Sequence, residues 1–312
     1  MMSDGMRIGF IGMGVMGGPM ARRLAGAGHQ VTGFDISEPA LQALAAAGGT
    51  AATSPAEAAE GADLLMVVVA TAEQAETALW GRDPGGNDGA VASLRPGATV
   101  ALHSTVAPDY VDKLGARLAA KGLHILDAPL SGGKVGAEAG KLTIMASGVA
   151  AAFAAMETVF PVVAGKVYRL GDAPGIGSRV KMVNQLLAGV HIAAAAEAMA
   201  LGTRAGADPK VLYEVISNSA GNSWMFTNRV PHMVDGDFTP TSAVEIFVKD
   251  LGIVLDAGRS LRFPLPITAA AHQQYLAAAA AGHGREDDSA VVKVYQELAG
   301  IDVAKAAKAT KP

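Results

Sequence analysis

The sequence contains no cysteine. That absence excludes a disulfide framework, a thiolate zinc site and a cysteine nucleophile. Positive charge is not in surplus either. The 25 lysines and arginines stand against 29 aspartates and glutamates, for a formal net charge of −4, which speaks against a general nucleic-acid binder. Long apolar runs are missing: the block Leu64 to Ala70, LLMVVVA, is too short to span a bilayer. The opening residues MMSDGMRIGF lack a basic segment leading into a long apolar one, so no secretory signal is expected. None of the seven histidines forms a pair with metal-ligand spacing, so no metal is expected. These absences predict a cytoplasmic protein with neither membrane nor nucleic acid as partner. Its 312 residues suggest roughly two domains.

The first half alternates β-rich runs with helical patterns. Strands are expected at Met6 to Ile11, Gln30 to Asp35, Asp63 to Ala70, Ala98 to Leu102 and Leu123 to Ala128, with a later pair at Leu142 to Ala146 and Val167 to Leu170. Helices are expected between them at Gly18 to Ala27 and Pro39 to Ala47. Alternation of this kind implies an α/β fold with a mostly parallel, doubly wound sheet. After Gly175 the β-rich blocks stop. A helix is expected from Ile176 to Ala205, followed by helices at Pro209 to Asn218, Ser242 to Arg262, Pro266 to Ala281 and Ser289 to Ala299. The expected organisation is a dinucleotide-binding domain over 1–172 and an all-α domain over 173–312, opened by the long helix. The alanine runs Ala193 to Ala196 and Ala277 to Ala281 read as close helix packing. The tail AKAAKATKP is expected to fray.

Gly12-Met13-Gly14-Val15-Met16-Gly17 follows the first strand and opens a helix, and Asp35 ends the second strand 18 residues after Gly17. That is the dinucleotide-binding fingerprint: a tight turn at Gly12, backbone approach to a pyrophosphate at Gly14, close helix–strand packing at Gly17. The helix start offers N–H groups to phosphate. Asp35 can accept hydrogen bonds from ribose hydroxyls and repels a 2′-phosphate, so the expected cofactor is NAD. Ala70-Thr71 and Ser104-Thr105, at the ends of later strands, either line the nicotinamide half or serve ordinary turns.

A hydroxyl oxidised by hydride loss must also lose a proton, so a general base is needed. In GIGSRVKMVNQ, Lys181 and Asn184 stand at i and i+3 with Gly177 a turn earlier, which puts them on one helix face. Desolvation can lower a lysine from about 10.4 toward roughly 7–8, where it serves as a base; Gly177 would leave room above it. A solvent-facing lysine on an amphipathic helix fits the same pattern. In DAPLSGGKVGAEAG, Ser131, Gly132 and Gly133 form either a turn or a concavity of N–H groups suited to a carboxylate.

The blocks GFIGMGVMGGPMARRL, DAPLSGGKVGAEAGKLTIMASG, GIGSRVKMVNQ and VKDLGIVLDA together resemble the β-hydroxyacid dehydrogenase family, which includes 3-hydroxyisobutyrate and tartronate semialdehyde enzymes. The resemblance implies a Rossmann domain, a long interdomain helix and an all-helical second domain. It also implies that Lys181 exchanges the proton, Asn184 orients substrate, Ser131 to Gly133 bind its carboxylate, Thr105 contacts the cofactor and Lys249 lies near its nicotinamide end, with Asp250 beside Lys249. Two departures stand out: Gln185 where the family often has a second Asn, and His103 where it has an acidic residue. SAGNSWMFTNRVPHM, LRFPLP and GREDDSAVVKVY resemble the subgroup that oxidises C2 of a four-carbon sugar acid, L-threonate, with NAD. There Ser219, Asn222 and Ser223 would meet substrate hydroxyls and Trp224 and Phe226 would exclude water; a helix junction with an aromatic anchor fits the same residues. A reductase of tartronate semialdehyde, a 3-hydroxyisobutyrate dehydrogenase or a silent NAD-sensing module remain as alternatives. The expected partner is a small hydroxyacid, and the apolar helical half suggests a homodimer or homotetramer.

Overall fold

The computed structural model describes residues 5–82 and 88–309. It divides into two compact units, Met1–Lys181 and Met182–Pro312, so the division falls inside the long helix rather than before it.

Unit 1 is built on six parallel strands, β1 (Arg7–Ile11), β2 (Gln30–Phe34), β3 (Thr50–Ala51), β4 (Leu64–Val67), β5 (Thr99–Leu102) and β6 (His124–Asp127). Their order is β3-β2-β1-β4-β5-β6, the doubly wound arrangement of a dinucleotide-binding sheet. Every residue of β4 and β5 is buried, as a parallel sheet covered on both faces requires. Successive side chains alternate between the faces. Leu64 and Met66 join Ile8, Phe10, Met20 and Leu24 in one core, while Leu65 and Val67 join Val100, Leu102 and Leu114 in the other. Full burial of each such side chain is worth roughly 1.5–3 kcal/mol.

Two strands lie outside the expectation. The edge strand β3 has two exposed residues and no apolar signal. The other, β7 (Leu130–Ser131), pairs antiparallel with β8 (Leu142–Ala146), which pairs parallel with β9 (Ala164–Arg169). These three form a separate small sheet rather than extending the main one. The physical reason is chain length: Asp127 and Leu130 are too close in sequence for a parallel crossover, which takes a dozen or more residues. An antiparallel bridge between Asp127 and Ser147 ties the second sheet to the end of β6.

The long helix runs Ile176–Arg204. By length and composition it could cross a membrane, yet its contacts are with protein: Gly177 and Ser178 bond to Ser147 and Asp127 in unit 1, and Tyr275 donates to the Gly189 carbonyl in unit 2. Unit 2 adds helices Pro209–Ser217, Trp224–Asp235, Val244–Ser260, Pro266–Ala278, Val292–Ala299 and Val303–Ala309. The first alanine run packs closely as expected, with Ala193, Ala195 and Ala196 buried; of the second only Ala278 is buried. Helix Trp224–Asp235 is not among the expected ones, because Pro231 lies inside it and proline usually marks a helix boundary. The expected frayed tail is a helix through Ala309, held by buried Val303 and Ala307; residues 310–312, like 1–4 of the opening segment, lie outside the described residues.

Candidate active site

In unit 1 the strand order reverses between β1 and β4, which places the ligand crevice of such a sheet beyond Ile11 and Val67. The loop after β1 is shaped by steric demands that differ among its glycines. Gly12 has φ +90°, and a Cβ there would lie 2.4 Å from the Val68 carbonyl oxygen. A Cβ on Gly17 would lie 2.0 Å from the Gly12 oxygen, so any side chain would push the helix off the strand. Around Gly14 nothing lies within 4 Å, leaving open backbone at the start of helix Gly17–Gly26. This bare loop suits a diphosphate, which needs close approach to main-chain N–H groups. Met13 is buried and Val15 is half exposed, while Met16 packs against the core.

The Asp35 carboxylate accepts hydrogen bonds from the N–H groups of Met13 and, at 2.8 Å, Ser37. A carboxylate has about four acceptor positions, so Asp35 holds the loop and keeps capacity for ribose hydroxyls. Ile36 beside it is 92% exposed. Thr71 makes the turn that was one of its two expected uses: its hydroxyl caps helix Ala72–Trp80, and the N–H groups of Ala70 and Thr71 are taken by the Gln74 side chain. That is turn chemistry at a strand end. After β5, His103 is buried and its Nδ1 lies 2.7 Å from the Ala128 carbonyl oxygen. Burial pushes the imidazole down to about 4, so it is neutral at physiological pH. Ser104 is also buried, and Thr105 follows partly exposed.

Beyond β6, Ser131 ends β7, Gly132 caps and Gly133 begins helix Gly133–Ala139. The anchor that brings the long helix to this strand end is Asp127. It accepts from both the N–H and the hydroxyl of Ser178, at 2.7 Å each, and Ser147 donates to it at 3.4 Å. Burial raises the Asp127 carboxyl above the usual range, against the pull of these bonds. Gly177 is required for the same contact, since a Cβ there would lie 2.3 Å from the Met145 oxygen. Its role is therefore close backbone packing rather than room for substrate. Lys181, three residues past Ser178, is 6% exposed, which excludes the solvent-facing alternative. The sequence reading gave no role to Asp127 or Ser147; an acidic residue closing a β-rich run was the available signal.

Unit 2 holds a polar cluster of its own. Asn184 donates to Gln185 at 3.1 Å, Gln185 donates to Asp250 at 2.5 Å, and Lys249 donates to Asp250 at 2.6 Å. Asp250 thus bonds directly to its neighbour Lys249. Asn222 is held locally: its amide nitrogen donates to the Ser217 carbonyl and its oxygen accepts from Thr227. Ser219 donates to the Val215 carbonyl and Ser223 caps helix Trp224–Asp235. Phe226 is buried against Tyr213, whereas Trp224 is 64% exposed. A helix junction with an aromatic anchor describes this stretch. Among the described residues no cluster of His, Asp or Glu could hold a metal ion.

Residues 7–171 match the family model described as the NAD binding domain of 6-phosphogluconate dehydrogenase. Residues 175–295 match the one described as NAD-binding of NADP-dependent 3-hydroxyisobutyrate dehydrogenase. The chain is 54% identical to an L-threonate dehydrogenase of Cupriavidus necator, over 92% of this chain and 95% of that one. It is 47% identical to an L-threonate dehydrogenase of Escherichia coli K12, over 93% of this chain and 95% of that one. A crystal structure named 3-hydroxyisobutyrate dehydrogenase from Salmonella typhimurium superposes with a TM-score of 0.86 at 47% identity, covering 93% of this chain and 99% of that one.

Proposed function

Since this chain belongs to the 3-hydroxyisobutyrate dehydrogenase family, we propose that it oxidises L-threonate at C2 to 2-oxo-tetronate with NAD. The observation that carries the chemistry is Lys181: a lysine buried in the same unit as the bare glycine loop, on a helix pinned to the sheet by Asp127. The substrate follows from the likeness to two L-threonate dehydrogenases.

Gly12 to Gly17 would hold the diphosphate and Asp35 the adenosine ribose, with Ala70, Thr71, Thr105 and Lys249 toward the nicotinamide end. NAD, when bound, accepts the hydride from the carbon that carries the hydroxyl. Lys181 takes the hydroxyl proton, and its seclusion from water keeps that proton transfer direct. Asn184, three residues on along the helix, orients the substrate. Ser131, Gly132 and Gly133 receive the carboxylate. Asn222 keeps one amide hydrogen and one oxygen lone pair beyond its bonds to Ser217 and Thr227, with which it would meet a substrate hydroxyl, and Asn222→Ala is the variant that tests it.

A panel of L-threonate, glycerate and 3-hydroxyisobutyrate, followed by NADH absorbance, tests the reading. The expected result is a kcat/KM for L-threonate well above the others. Preference for another acid would move the assignment within the family, and no turnover on any would overturn the redox role. We place the protein in the cytoplasm as a homodimer or homotetramer. Support for assembly comes from apolar side chains left exposed on unit 2, among them Leu261, Phe263, Ile267 and Leu298; light scattering after size exclusion decides it.

A further inference from the structure

The hydrogen-bond chain in unit 2 has a direction, set at one end. Asp250 is buried, with its side chain 1% exposed, and an ionised carboxylate only accepts. One oxygen takes the Lys249 ammonium and the other takes the Gln185 amide nitrogen. A side-chain amide has a donor end and an acceptor end, and the network decides which way it points. With its nitrogen committed to Asp250, Gln185 turns its oxygen to Asn184, whose nitrogen donates to it. The oxygen of Asn184 is left facing away from the chain of bonds. Asp250 thus fixes the orientation of two successive amides.

We propose that Asp250 and Gln185 are positioning residues that hold Asn184 as a hydrogen-bond acceptor, and so select substrates with a second hydroxyl beside the one oxidised. The inference rests on the functional reading above. The reacting hydroxyl gives its single proton to Lys181, so the donor to Asn184 must be a neighbouring hydroxyl. A polyol acid such as L-threonate carries one at C3; 2,4-dihydroxybutyrate does not. Gln185 spans the distance between Asn184 and Asp250.

The polarity can be reversed and restored by substitution. In Asp250→Asn the new side chain offers only one oxygen, and the charged Lys249 ammonium is the stronger claimant for it. Its nitrogen then faces Gln185, which flips, and Asn184 flips in turn to present its nitrogen. Adding Gln185→Glu supplies a carboxylate that accepts from the amide introduced at position 250 on one side and from Asn184 on the other, which restores the outward oxygen.

The test measures kcat/KM for L-threonate and for 2,4-dihydroxybutyrate in wild type, Asp250→Asn and the double variant, with thermal melting and the NAD dissociation constant alongside. The ratio between the two substrates should fall about 10- to 100-fold in the single variant, the usual scale for losing a buried hydroxyl contact, and recover in the double. Equal losses on both substrates, or no recovery, would overturn the relay and leave the dehydrogenase reading standing. If wild type oxidises neither acid, the functional reading fails first. The relay is then judged by NMR of protein labelled with 15N-asparagine, the Asn184 peak being assigned by its loss in Asn184→Asp. That side-chain resonance should shift in Asp250→Asn and return in the double variant; an unmoved resonance, or a misfolded double variant with no return, counts against the relay.

Discussion

Asp127, at the end of β6, accepts both the backbone N–H and the hydroxyl of Ser178 at 2.7 Å. One carboxylate therefore locks the first turn of the long helix to the sheet, three residues before Lys181. Asp127→Ala strands the buried polar groups of Ser178 and Ser147, at about 1–3 kcal/mol for each. Urea unfolding should show a loss of several kcal/mol, and kcat should drop even where the protein stays folded. Ser178→Ala, which removes one bond, should cost about 1 kcal/mol. Unfolding curves for Asp127→Ala that overlay wild type would show that the lock carries no load.

Lys181→Ala should lower kcat by roughly 10²- to 10⁴-fold, the range of general-base catalysis, with NAD affinity measured by fluorescence nearly unchanged. In wild type the oxidation rate should climb with pH toward a plateau, because a protonated lysine cannot accept the hydroxyl proton. A flat pH profile, or near-normal turnover in the variant, would remove Lys181 from the mechanism.

Asp35→Ala should narrow the preference for NAD over NADP. A like charge placed against a 2′-phosphate costs several kcal/mol, so the ratio of kcat/KM values should fall about 100-fold. The variant also releases the N–H groups of Met13 and Ser37, so absolute activity with NAD should fall too. A ratio that does not move would assign discrimination elsewhere.

His103 predicts an acid-side weakness. Its imidazole titrates near 4 in the folded chain against 6.5 in the ordinary case, through burial. The unfolded chain therefore binds the extra proton first. The neutral ring's contribution is fully present above pH 6.5 and is lost as pH falls toward about 4. The shift corresponds to about 3 kcal/mol. His103→Gln should flatten stability between pH 7 and 4, measured by urea unfolding at each pH, and equal slopes in both proteins would contradict this.

Much of the molecule is legible in residue order because it depends on neighbours along the chain. The strands β1, β2, β4, β5 and β6 announce themselves as β-rich runs, and the glycine loop and Asp35 sit at fixed offsets from them. The long helix follows from the alanines and leucines between Ile176 and Arg204 and from the absence of proline there. Local chemistry was harder where two uses share one residue: Thr71 reads equally as cofactor contact and as helix cap, and only its bond to Gln74 shows the cap.

Other features join residues far apart in sequence, and no periodicity encodes them. Asp127 meets Ser178, and Gln185 meets Asp250, because hydrogen bonds in a buried setting depend on which strand end and which helix face are brought together. The same holds for Gly177, whose missing side chain matters only once Met145 lies against it. Residue order alone determined a dinucleotide loop, an acidic residue at the end of the second strand and a lysine on a helix. Only the tertiary structure decided that this lysine is buried, that a carboxylate anchors its helix, and which way the amide of Asn184 points. Burial and hydrogen-bond direction are properties of the surroundings of an atom, and those surroundings exist only in the folded chain.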